Sequence, residues 1–144
     1  MKNSPTPFLK FIIIYIFLFT FSGSVFAQFG CKATLVVDKN ANIGTLNNGS
    51  IYYPLVLSNT GNQSDSFTIS AVNINGSCKN NDLSDSSLNV NLSFTFLDKN
   101  LNLIQGPISL LVNESILFYV KVDKPTGTNV KRWNCTQIEA KSSN

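Results

Sequence analysis

Apolar and polar residues alternate along most of the chain with a period of two, the spacing that sends successive side chains to opposite faces of a strand. Residues 33–37 (ATLVV) read as a first strand. Residues 51–57 (IYYPLVL) follow, with Ile51, Tyr53, Leu55 and Leu57 on one face. Pro54 falls on the other face and has no N–H for a ladder, so an irregular or edge-facing stretch is expected there. Residues 66–72 (SFTISAV) place Phe67, Ile69 and Ala71 inward. The polar segment between these runs, SNTGNQSDS, contains Asn and Gly, which tolerate left-handed backbone, so the two runs read as a hairpin. Asp65 is expected to accept backbone N–H bonds across that turn, as Asx turns do.

The cleanest alternation is LNVNLSFTFL, residues 88–97. Leu88, Val90, Leu92, Phe94 and Phe96 face in, and Asn89, Asn91, Ser93 and Thr95 face out, the pattern of an antiparallel sheet with one wet face. Residues 98–102 (DKNLN) turn the chain into a short strand around Ile104. A turn at Asn113-Glu114 leads to a strand with Ile116, Phe118, Val120 and Val122 inward, which KPTGTN ends. Residues 133–140 (WNCTQIEA) form the last strand. Six to eight short strands at fairly regular spacing, with no helical stripe and no internal repeat, predict an all-β fold: an antiparallel two-sheet β-sandwich.

The start of the chain has a different pattern. Lys2 and Lys10 give a positive n-region, residues 11–21 (FIIIYIFLFTF) are an apolar core, and SGSVFA ends in Val25-Phe26-Ala27, with small residues at the two positions a signal peptidase reads. Residues 1–27 therefore read as a signal peptide cut between Ala27 and Gln28, and residues 28–144 as one domain. The apolar run is shorter than the ~20 residues a membrane-spanning helix needs. A retained anchor is the alternative; with cleavage, the membrane is met only through the signal segment. The expected location is secreted or at the cell surface, by the Sec route.

Composition narrows the functions. The mature part would carry nine Lys and Arg against eight Asp and Glu, a nearly neutral domain with no electrostatic case for nucleic acid. Histidine is absent, which removes the commonest general base, the commonest metal ligand and every Ser-His or Cys-His nucleophile. The acidic residues are scattered, and Asp82 and Asp85 bracket one loop without forming an opposed pair. Asp98, Asn100 and Asn102 copy the opening of a calcium loop, but Leu103 stands where Gly belongs and Ser109 where Glu belongs; a plain hairpin turn fits better. The segment DKNAN from Asp38 fails in the same way, with Ile43 in the Gly position. No metal and no cofactor is expected, and an enzyme is the least supported class. Six N-x-S/T sequons begin at Asn48, Asn62, Asn75, Asn91, Asn113 and Asn134, and they matter only in a eukaryotic source.

Residues 53–70, Y-x-L-x-L-S-N-T-G-N-x-S-D-S-F-T-I-S, resemble the immunoglobulin-like modules of bacterial surface and secreted proteins, often known only as conserved repeats or as cell-adhesion-related. Two further segments are similar to that family. In ISLLVNESILFYVKVDKPTGT, Asn113 stands at the family's usual Gly and Val112 at its usual Pro; NCTQIEAKS matches its closing strand. The resemblance implies an immunoglobulin-like sandwich acting as a spacer, stalk or adhesion element, and it carries no catalytic residues. Its strand order would bring Cys78 and Cys135 to one pole and leave Cys31 at the other, implying a Cys78–Cys135 disulfide. Cys31 is then an unpaired thiol, a lipid attachment site (AQFGC lacks the usual upstream Leu) or an intermolecular partner.

The leading expectation is a non-catalytic secreted module with a structural or adhesive role, meeting an unknown protein or glycan at the cell surface. One alternative is a carbohydrate- or small-ligand-binding module using Trp133 and Arg132, since an indole beside polar groups suits a sugar face. The bland reading of Trp133 is a cover over a sheet edge. The other alternative is an assembly subunit whose last strand leaves an edge for a partner strand.

Overall fold

The computed structural model describes residues 32–47 and 49–143. The expected leader of residues 1–27, its cut between Ala27 and Gln28, and Cys31 lie outside the described residues. The rest is built from seven strands: β1 (Ala33–Val37), β2 (Ser50–Asn59), β3 (Asp65–Asn73), β4 (Ser93–Asp98), β5 (Ile108–Leu110), β6 (Ser115–Asp123) and β7 (Thr136–Ser142). They form two antiparallel sheets, β1-β2-β6-β4 and β5-β3-β7. Among the described residues the only helical pieces are three short 3-10 turns.

The core sits between the sheets. Leu55 and Leu57 of β2 and Phe118, Val120 and Val122 of β6 meet Phe67 of β3 and Leu110 of β5. Ile51, Tyr53, Ile69, Phe94, Phe96, Ile138 and Ala140 pack around them. Apart from Leu110, Ile138 and Ala140, these are positions that alternation placed inward. Phe118 is fully buried, and burying such a ring contributes about 1.5–3 kcal/mol.

Four expectations need correction. First, β2 and β3 are not a hairpin. They lie in different sheets, and residues 60–64 carry the chain across the sandwich. Both runs alternate, but each buries its face from an opposite side of one core. The turn at Asn113-Glu114 is a second crossing, from β5 to β6. The two crossings bond to each other: Asn59 donates its N–H to the Glu114 carbonyl (2.9 Å) and Asn113 donates to the Asn59 carbonyl (3.0 Å).

Second, the strand expected over residues 88–97 begins only at Ser93, and Leu88 is 50% exposed in a 3-10 turn. The reason is the neighbour: Ser93 pairs with Asp123, the last residue of β6, so earlier residues have no ladder to join. Third, Ile104 starts no strand. The turn after β4 closes with a single Leu97–Leu103 bridge and an Ile104 N–H bond to Phe96, and the next strand is Ile108–Leu110. Fourth, the last strand starts at Thr136, after Trp133. The Pro54 expectation holds: β1 pairs with β2 only from Leu55 to Asn59, so Pro54 has no strand on that side.

Candidate functional site

Three places gather the residues that carry chemistry or contact. The first is the pole where β3 and β7 meet. Their ladder runs to Asn73–Thr136, and just beyond it Cys78 and Cys135 are joined by a disulfide with Cα atoms 6.3 Å apart. The pairing implied by the family resemblance is present.

Asparagine amides hold the excursion from β3 to β4 against this pole. Asn73 bonds both backbone groups of Leu92 (3.1 Å each), which imitates one rung of a ladder. Asn134 donates to the Val90 carbonyl (2.8 Å) and to the Asn73 side chain (2.6 Å). Asn75 donates to the same Val90 carbonyl (3.0 Å) and accepts from the Cys135 N–H (2.9 Å). Asn80 and Asn89 exchange a reciprocal amide pair (2.8 and 2.9 Å), and the Asn89 amide also donates toward Cys78 Sγ (3.5 Å). Asn80 is buried. These groups neither ionise nor attack, so the pole is a plug of satisfied amides around a disulfide.

Trp133 lies at its rim, half-buried, with Arg132 exposed beside it. The Trp133 side chain, bonded to Asp82, is the main cause holding that carboxyl below the ordinary aspartate range; Ser84 adds to it. The Trp133 carbonyl accepts from Val90 (2.8 Å). The structure thus ties Trp133 to the loop around Asp82, a link invisible in the sequence because 51 residues separate the two.

The second place is the set of acidic turns. Asp98 Oδ1 accepts from the N–H groups of Asn100 (2.8 Å) and Asn102 (2.9 Å), and Oδ2 from the Asn102 amide (3.1 Å). The backbone bond from Asn102 is the first cause keeping the Asp98 carboxyl low. This is a hairpin turn with its own carboxylate as fastener, as expected for DKNLN. Asp85 accepts from Ser87 (2.9 Å) in the same manner. Asp65 departs from its expected role. It is buried, accepts from the Ser66 N–H (2.7 Å) and from the Ser142 hydroxyl (2.6 Å), and so fastens β3 to β7. Asn59 braces the crossing instead: its Oδ1 accepts from Gly61 (3.0 Å), and its amide donates to Gln63 (2.8 Å) and Leu110 (3.3 Å). Among the described residues no group of three or more His, Cys, Asp or Glu is placed to hold a metal ion.

The third place is the outer face of the four-stranded sheet. In register across β1, β2 and β6 stand Val36, Val56 and Leu117. The next row holds Pro54, Tyr119, Leu97 and Leu103. Val36, Leu103, Leu117 and nearby Tyr52 are exposed. Polar rows border the band. Thr34, Ser58 and Ser115 lie on one side, with Ser115 donating to Ser58 (2.7 Å). On the other, Lys121 pairs with Asp123 (3.0 Å), which also takes a bond from the Ser50 hydroxyl. A wet antiparallel face is normally polar, and an apolar band rimmed by polar groups is the signature of a contact surface. The signal was present in the sequence: IYYPLVL and ILFYV are apolar at both parities, not at alternate positions. No family model, curated protein or solved structure matches this chain.

Proposed function

We propose that this protein is an exported, non-catalytic immunoglobulin-like module with a structural or adhesive role at the cell surface. Its contact surface is the outer face of the sheet β1-β2-β6-β4, and the partner is a protein. The observation that carries this reading is the row Val36, Val56 and Leu117 beside Pro54, Tyr119 and Leu103. The aliphatic side chains that make up most of these rows fit an apolar protein surface, and Tyr119 among them is of the aromatic type enriched at protein interfaces. The leader-like residues 1–27 and the Cys78–Cys135 disulfide agree with an oxidising, exported setting.

Two measurements test it. Fractionation of cells making the full chain is expected to recover an exported protein that begins at Gln28. Recovery from the cytoplasm with residues 1–27 attached overturns the location. Beads coated with the oxidised domain are expected to adhere to the producing cells, and Leu117→Asp to reduce adhesion several-fold at unchanged melting temperature. Equal adhesion by both proteins overturns the face.

Arg132, exposed beside Trp133, supports the rival reading of a glycan contact. Tryptophan fluorescence titrated with polysaccharides decides it: an unmoved signal removes the rival.

A further inference from the structure

Among the described residues the sheet β5-β3-β7 ends on β7, which is paired on one side only. The bonding phase of that strand is fixed at both ends. Ser143 donates its N–H to Ser66 (2.8 Å), and Ile74 donates to Cys135 (2.8 Å). In an antiparallel ladder the bonded pairs alternate. Gln137, Glu139 and Lys141 therefore turn their N–H and C=O groups toward β3. Thr136, Ile138 and Ala140 turn theirs to the other, open side, where no described strand pairs with β7, although β1 comes close to it. The side chains of Ile138 and Ala140 pack inward, so Gln137, Glu139 and Lys141 point out of the sandwich.

The other edges are less open. The Leu97–Leu103 bridge begins to cover β4, β5 has three residues, and β1 has five. β7 has seven, with no proline and an unbroken register. Such an edge is a template for another strand.

We propose that the occupant is a second copy of this chain, joined β7 to β7 in antiparallel register about a two-fold axis at Ala140. The two three-stranded sheets then merge into one of six. Charge selects both the occupant and the register. Centring the pair on Glu139 or Lys141 sets like charges opposite each other. Centring it on Ile138 sets Gln137 opposite Glu139. Centring it on Ala140 sets Glu139 of one copy opposite Lys141 of the other, twice, on the outward face. Opposite charges facing each other across neighbouring strands stabilise the pair, and like charges oppose it. The contact is isologous, as closed dimers require. It stands on the edge itself, independently of the contact surface proposed above.

The test is sedimentation over a range of concentrations, using the oxidised chain from Gln28 with Cys31→Ser throughout, so that no thiol links two copies. A reversible dimer is expected. Glu139→Lys alone and Lys141→Glu alone each weaken it about tenfold. An equimolar mixture of the two variants restores it, because every Lys then faces a Glu. Ala140→Pro removes only an N–H on the open side and abolishes the dimer; both exposed charge variants test the same edge should that proline disturb folding. A monomer at the highest concentration, or a dimer that neither charge variant weakens, overturns the proposal. Because no cells are involved, either result leaves the adhesion measurement to stand by itself.

Discussion

At the scale of single residues, parity along β2 carries more information than hydrophobicity alone. Leu55, Leu57 and Asn59 share a parity, and all three are buried. An asparagine in that position must satisfy its amide inside, and Asn59 does so through Gly61, Gln63 and Leu110. Asn59→Ala leaves the buried Gly61 N–H bond without its acceptor and opens a small void. A loss of about 2–4 kcal/mol is expected, read as a lowered urea midpoint at unchanged slope. Asn113 illustrates a backbone demand instead. Its φ of 61° is left-handed, where Gly and Asn are at ease and a β-branched residue is not. Asn113→Gly is expected to lie within about 0.5 kcal/mol of the parent and Asn113→Val to cost about 1–2 kcal/mol, by the same denaturation measurement. The sequence marks both asparagines as turn residues. It also gives Asp65 the inward parity of Phe67, but not the Ser142 hydroxyl that meets it 77 residues later.

At the scale of elements, alternation shows which face of a strand is buried and is silent on which sheet the strand joins. That is why β2 and β3 read as a hairpin and fold as a crossing. A strand's length depends on its neighbour. The alternation of residues 88–97 continues past the point where β6 leaves the ladder, so it overstates β4. The connections are held by turn carboxylates, and these give the fold an acid limit. Asp98 and Asp85 have carboxyls held below their ordinary range by hydrogen bonds from their own turns, and Asp82 is held low first by the Trp133 side chain and then by Ser84 in its own turn. A folded-state pKa below the unfolded one contributes stability above the unfolded value and loses it as pH falls through the folded value. Stability is therefore expected to be flat through neutral pH and to fall below about pH 4. Asp98→Asn keeps one acceptor oxygen but does not titrate. Its stability, measured by denaturant titration from pH 2 to 7, should fall less steeply with acid than that of the parent.

For the whole molecule, the order of the strands makes folding a problem of distant closure. β3 finds its main partner in β7 at the other end of the domain, and until that pair forms the second sheet is only the three-rung pairing of β3 with β5. Folds dominated by such pairings fold in milliseconds to seconds, because loop entropy is lost before contacts repay it. The disulfide joins the two strands just beyond one end of that ladder, across a sequence separation of 57. By the chain-entropy model a loop of this size stabilises by about 4 kcal/mol. If the β3–β7 pair belongs to the folding nucleus, the closure lost on reduction appears in the folding rate and not only in the equilibrium. Trp133 is the single tryptophan and lies two residues from Cys135, so its fluorescence reports on this pole. Stopped-flow refolding is expected to be at least tenfold slower for Cys78→Ser/Cys135→Ser than for the oxidised chain, with unfolding changed little. Equal refolding rates with faster unfolding would place the nucleus instead in β2 and β6, whose long ladder and buried Leu57 and Phe118 form the other half of the core.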